Sequence, residues 1–283
     1  MKKLCLLFIL IAALLYGCTD REQAQIVTTT LPVYEFTSAL CEGTGLTVSR
    51  LITEEVTCLH DYSVQVSQMQ AVEKAEVVVL SGAGLEEFLE DVLAKANAVI
   101  DASSGISLCS GHEHEGHHHH DPHIWLSPAN AKQMCENICN NLCSLYPEHK
   151  NAILKNLDGV LLKLDELQSY GESVLEALSC RELITFHDGF GYFAECFDLH
   201  ILKAVEEESG SETSAQTLVE LIDLVNTHSL PAVFTEKNGS TAAAQIISAE
   251  TGTPVFALDM AMSGSSYFDA MYHNINTIKE ALE

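Results

Sequence analysis

The chain has 283 residues, enough for about two domains with substantial cores, and 40 acidic against 14 basic residues leave a formal net charge of −26 at pH 7. Phosphate binding needs concentrated positive charge, so nucleic acid is excluded as a partner. A cation is the ligand that this electrostatic balance favours.

Residues 1–17 are predicted to be a signal peptide: Lys2-Lys3 precedes an apolar run, Leu4 to Leu15, that is too short to span a bilayer. Leu15-Tyr16-Gly17-Cys18 resembles a bacterial lipobox, which would make Cys18 the lipid-modified first residue of the mature chain, residues 18–25 its tether and the remainder extracytoplasmic. Ile26 to Thr30 is β-branched and reads as a strand ended by Leu31-Pro32, and Val33 to Cys41 follows with helical spacing. Leu46 to Ile52 is the next strand, and it leads into an irregular loop carrying His60. Ser63 to Lys74 is a helix, Glu76 to Ser81 a strand, Leu85 to Ala96 a helix and Val99 to Asp101 a short strand. Strands alternating with helices predict a parallel α/β sheet, whose ligand sites lie in loops at the carboxyl ends of its strands.

Gly111 to Pro128 then reads G-H-E-H-E-G-H-H-H-H-D-P-H-I-W-L-S-P. His112, His114, His117, His118, His119 and His120 alternate with acids and have no apolar neighbours to bury, which predicts a mobile, solvated metal-collecting loop over 111–120. Beyond Asp121-Pro122 a single histidine, His123, is carried into the apolar Ile124-Trp125-Leu126. Imidazole is the commonest side-chain metal ligand, so a wet histidine run beside one buried histidine points to a metal site.

Ala129 to Leu145 is helical, and Pro147 to Leu178 is predicted to be one long helix, with Leu154, Leu157, Leu161, Leu164 and Leu167 forming its apolar stripe. A second α/β unit follows: strands Glu182 to Phe186, Leu199 to Val205, Ala232 to Glu236 and Val255 to Leu258, with helices Tyr192 to Phe197, Ser214 to His228 and Ser240 to Thr251. Glu206 to Ser211 reads as a solvated acidic loop. His187, Glu236 and Asp259 fall at or just beyond strand ends, where side chains converge on a ligand. Eight cysteines remain after the leader and Cys18: Cys41, Cys58, Cys109, Cys135, Cys139, Cys143, Cys180 and Cys196. Their spacing gives no disulfide pairing, and Cys135, Cys139 and Cys143, four apart on one helix face, are predicted to pack as small hydrophobes.

Ile26-Val-Thr-Thr with Leu31-Pro-Val-Tyr, His60-Asp-Tyr, Val77-Val-Val-Leu-Ser-Gly-Ala-Gly-Leu-Glu86, Asp121-Pro-His-Ile-Trp-Leu-Ser-Pro128, Phe186-His-Asp-Gly-Phe-Gly-Tyr-Phe193, Phe234-Thr-Glu236 and Leu258-Asp259 occur in this order. Together they resemble the zinc/manganese substrate-binding lipoproteins of bacterial ABC importers. The resemblance implies two α/β lobes with parallel sheets, 26–148 and 179–283, joined by a rigid helix over 149–178, with the metal in the cleft between them. It implies His60, His123, His187 and Asp259 as ligands, a set that suits tetrahedral zinc. It also implies Zn(2+) as the transported ligand, an ABC permease with its ATPase as partner, a monomer, and no catalysis.

Histidine at 187, where manganese-selective members commonly carry a carboxylate, resembles the zinc branch; manganese is the runner-up. Glu236 stays open as the fourth ligand in place of Asp259, and Lys237-Asn238 stands where the family commonly has Pro-Gln. From another class, three histidines with Glu236 could serve a zinc-dependent hydrolase, although the His-Glu-x-x-His string at His114 to His118 lies in the solvated histidine run and not in a helical pattern. A metal-linked surface adhesin is the remaining alternative.

Overall fold

The computed structural model describes residues 24–56, 59, 62–114, 117–205 and 213–283. The leader, Cys18, Cys58, His60 and the acidic loop from Glu206 to Ser211 lie outside the described residues. In chain order the elements are β1 (Ile26–Thr28), α1 (Leu31–Leu40), β2 (Val48–Arg50), α2 (Val66–Lys74), β3 (Val77–Leu80), a 3-10 turn (Glu87–Leu89) running into α3 (Glu90–Leu93), and β4 (Val99–Asp101). β5 (Ser110–His114), β6 (His117–His120), a 3-10 turn (Ile124–Leu126), α4 (Pro128–Leu145), a 3-10 turn (Pro147–His149) and α5 (Lys150–Leu175) follow. The second half contains β7 (Glu182–Thr185), α6 (Gly191–Cys196), β8 (His200–Ala204), α7 (Ala215–His228), β9 (Val233–Glu236), α8 (Ala242–Thr251), β10 (Val255–Leu258) and α9 (Tyr267–Leu282).

Two four-stranded sheets, ordered β2-β1-β3-β4 and β10-β9-β7-β8, have every neighbouring pair parallel. This is the expected α/β architecture of two lobes with a long helix. Pro32 belongs to the first turn of α1, where its missing N–H is not needed, rather than ending the strand before it. The stripe of α5 is centred on Ile153, Val160, Leu164, Leu167 and Leu175, so Leu154, expected inside, is 40% exposed. Gly171 has a packing role, because a Cβ there would run into the Phe197 ring. α5 stops short of Leu178 where Arg181 caps it: Nη2 donates to the carbonyls of Leu175 (2.9 Å) and Glu176 (3.1 Å), and Nη1 to Phe197 (3.2 Å) and Asp198 (3.1 Å).

α9 was not expected from sequence. Ser266 caps it, accepting from Asp269 N at 3.2 Å, and Tyr267, Met271, Asn274, Ile275 and Ile278 are buried at helical spacing. The segment before it stitches the two halves together: Leu31 N donates to Met262 O (3.1 Å), Arg50 Nη1 to Gly264 O (2.9 Å) and Trp125 Nε1 to Met260 O (2.8 Å), while Tyr267 Oη donates to Trp125 O (2.7 Å). The larger core accordingly runs through Trp125, Leu164 and Tyr267, and a smaller one lies around Ile184, Leu221, Val233 and Ile247.

Within the stretch expected as a solvated loop, the described residues include two short strands. They form an antiparallel hairpin, β5 with β6, pairing Glu113 with His118 and His114 with His117. Ladder hydrogen bonds need no apolar side chains, which is why composition alone gave no sign of it.

All seven described cysteines are free, and Cys135 and Cys139 are fully buried. Burial pushes the thiols of Cys41 and Cys139 up to about 12 and that of Cys196 to about 11, as for thiols that pack as small hydrophobes. Among the described residues no helix is long and apolar enough to cross a membrane.

Candidate metal centre

The site is built on strand ends. His187 lies two residues beyond β7, Glu236 closes β9 and Asp259 follows β10 directly. β9 and β10 run parallel with Glu236 beside Leu258, so the residues leaving the two strands emerge side by side. On the other side, His123 begins the 3-10 turn that precedes α4, a helix started by Pro128 and by Ser127, whose Oγ accepts from Asn130 N at 3.4 Å.

His123 is 2% exposed and its ring is fixed from behind. Asp121 Oδ1 accepts from the His123 backbone N–H (2.9 Å) and lies 2.8 Å from His123 Nδ1. A carboxylate on Nδ1 favours the Nδ1–H tautomer, in which Nε2 carries the lone pair that a cation would take. His187 Nδ1 lies 3.4 Å from Glu236 Oε2, a longer contact than that of His123 with Asp121. The two Nε2 atoms then converge to 3.4 Å, with the rings edge to face. Two ligands at about 2.0–2.1 Å on a tetrahedral zinc ion are themselves about 3.3–3.4 Å apart. The imidazole pair therefore already has the spacing of one edge of a zinc tetrahedron.

Glu236 sits on the Nδ1 side of His187, away from this convergence. Both it and Asp259 remain candidates for the fourth ligand. Asp259 is engaged elsewhere: Oδ1 accepts from Ala261 N (2.8 Å), and Oδ2 is 3.1 Å from Lys237 Nζ. Its backbone is clamped by the buried Asn274, which accepts from Asp259 N and donates to Asp259 O, both at 2.7 Å. Among the described residues no three His, Cys, Asp or Glu side chains are grouped as an ion site. The structure brings His123 and His187 together and leaves Asp259 outside that pair, while His60 lies outside the described residues.

Three contributors escaped the sequence reading. Gly189 is one, because a Cβ there would lie 2.8 Å from His123 Nδ1, 2.8 Å from His187 Cδ2 and 2.7 Å from Met260 Cε. Only hydrogen fits between the two rings. Asp121 is the second, and its spacing of two residues before a histidine was the available clue. Tyr192 is the third: its hydroxyl donates to Asp121 O (2.8 Å) and accepts from Cys109 N (2.9 Å), while Asp121 N donates to Cys109 O (3.3 Å). This closes the base of the β5–β6 hairpin directly onto the His123 support. Asp121→Asn keeps the shape but removes the charge that holds Nδ1–H, and is expected to weaken zinc binding by about 10–100-fold in a competition titration. Unchanged affinity would mean that the ring is oriented by packing alone.

Two parallel-sheet lobes with a long helix, and an imidazole pair brought together at strand and turn ends, are an architecture that a metal receptor can use. Residues 26–281 match the family described as ZnuA, zinc-uptake complex component A, periplasmic, and the chain belongs to that family. It is 30% identical over 311 residues to the zinc-binding lipoprotein AdcA of Streptococcus pneumoniae (strain ATCC BAA-255 / R6), covering 100% of this chain and 62% of that protein. It is 27% identical to the high-affinity zinc uptake system protein ZnuA of Bacillus subtilis (strain 168), over 92% of this chain and 88% of the relative. Among solved structures, a crystal structure of ZnuA superposes with a TM-score of 0.80 at 30% identity, over 92% of this chain and 100% of that one. The Zn(II)-bound ZnuA-like domain of S. pneumoniae AdcA gives 0.79 at 28% identity, over 92% and 99%.

Proposed function

We propose that the chain is an extracytoplasmic zinc receptor, anchored through a lipid on Cys18, that captures Zn(2+) between lobes 26–148 and 179–283 and delivers it to an ABC permease driven by its ATPase. The ligands are His123 and His187 with His60 and Asp259. The observation that carries this reading is the 3.4 Å approach of the two Nε2 atoms, with His123 Nδ1 2.8 Å from Asp121 and His187 Nδ1 3.4 Å from Glu236. Relatives named for zinc binding and zinc uptake support zinc over manganese. So does the donor chemistry, since manganese favours more oxygen ligands.

No bond chemistry is involved. Four protein ligands leave zinc no open position for an activated water, which separates a receptor from a zinc hydrolase. The β5–β6 hairpin collects zinc weakly with His112, His114 and His117 to His120, raising its concentration beside the cleft. Deleting residues 111–120 is expected to leave equilibrium cleft affinity nearly intact and to slow loading at scarce zinc, measured by stopped-flow against a chelator. Loss of all tight zinc on deletion would make the hairpin part of the site and overturn this division of labour.

A further inference from the structure

We propose that Lys237 is the resident counter-cation of Asp259, displaced from it as zinc is ligated, and that this exchange sets how tightly the receptor holds its cargo and how readily it gives it up. The inference deepens the zinc-receptor reading and rests on Asp259 being a ligand. Asp259 Oδ1 is committed to the backbone N–H of Ala261 at 2.8 Å, and Ala261 is buried with a positive φ of 53°, so this bond belongs to a fixed turn. Oδ2 is the exchangeable oxygen. Its partner, the Lys237 ammonium at 3.1 Å, belongs to a side chain 58% exposed, so it can leave for water without disturbing the core.

The pairing is built into the sheet. β9 and β10 pair Glu236 with Leu258, so Lys237 and Asp259 occupy the next rung, and Lys237 N donates to Leu258 O at 2.7 Å. Asn238 then turns back with φ 70°, and Gly239 N donates to Glu236 O at 3.1 Å. The stem of Lys237 is thereby fixed beside Asp259 while its head remains free to swing. In a chain with 40 acids and only 14 bases, a lysine on the carboxylate expected to bind the cation is a specific placement. It opposes the incoming charge twice, by occupying the oxygen and by repelling a divalent ion close to it.

The test uses the mature full chain, zinc alone as probe, and competition with a chelator. Lys237→Met keeps the stem and removes the charge; it is expected to bind zinc about three- to tenfold more tightly and to release it more slowly. Lys237→Arg, which keeps a cation, is expected to match the parent chain, and the zinc-induced rise in Tm is expected to be larger for Lys237→Met alone. Unchanged or weaker binding by Lys237→Met, or equal behaviour of Met and Arg, overturns the proposal. Asp259→Asn separates the two levels: if it loses zinc while Lys237→Met changes nothing, the zinc site stands and the counter-cation role falls. If Asp259→Asn binds as before, Asp259 is no ligand and the inference falls with it.

Discussion

His187→Ala, in the mature chain with residues 111–120 removed, is expected to lower zinc affinity by two or more orders of magnitude while leaving the fold intact. Zinc held by four protein ligands is worth roughly 10–16 kcal/mol in small structural sites, so one ligand accounts for about 3 kcal/mol, and each 1.4 kcal/mol is tenfold in affinity. The loss is also geometric. The position of His123 Nε2 is matched to a second nitrogen 3.4 Å away, and with that nitrogen gone only water completes the edge. His187 is 15% exposed at a strand end, and its removal takes away no core side chain, so circular dichroism of the variant is expected to match the parent. Affinity within a few-fold of the parent would place the tight zinc elsewhere in the chain.

Gly189→Ala is expected to do comparable damage without touching a ligand. The added methyl would sit 2.8 Å from one ring, 2.8 Å from the other and 2.7 Å from the Met260 methyl, all tighter than atoms pack in real proteins. His123 cannot yield, being buried and held by Asp121, so the strain falls on His187 and on the Met260 segment that carries Asp259. Overpacking of this kind costs about 1–3 kcal/mol in stability, and separating the two Nε2 atoms removes the preformed edge. The check is a paired measurement of Tm and zinc affinity, with Gly159→Ala as control, since a Cβ at Gly159 meets nothing within 4 Å. If Gly189→Ala kept parental zinc affinity, the close approach of the rings would not be a requirement of the site.

Much of this was legible in the sequence, for reasons that also explain what was not. Buried parallel strands are short β-branched runs, and sites on such sheets lie at their carboxyl ends, so pattern marks His187, Glu236 and Asp259 alike, and the choice of ligands among them comes from the family resemblance. His123 stood out because it opens an apolar run. Gly189 carried no local signal: its need comes from two rings brought together from segments 64 residues apart, which is tertiary information. Glu236 was recognisable as a strand-end acid, but only the atomic arrangement puts its carboxylate 3.4 Å from His187 Nδ1. Lys237 could be seen only as a departure from the family pattern, and its partner only in the structure.

The misreadings have physical causes too. α9 follows the last strand and carries none of the site's chemistry, and its signals are the capping pair Ser266–Asp269 and the buried residues at helical spacing. Leu154 was placed inside α5 by counting leucines at three and four. The stripe that packs runs through Ile153 and Val160 instead, one position earlier at its start. The backbone pairing of the histidine stretch has no sequence signal because composition speaks about side-chain burial and says little about strand pairing.

The most direct measurement is zinc content together with zinc-edge X-ray absorption on the mature chain lacking residues 111–120, loaded with zinc in the presence of excess manganese. The account predicts one zinc per chain, four-coordinate, with three imidazoles and one carboxylate oxygen at about 2.0–2.1 Å. A preference for manganese, or a zinc shell containing fewer than three imidazoles or an exchangeable water, would contradict it.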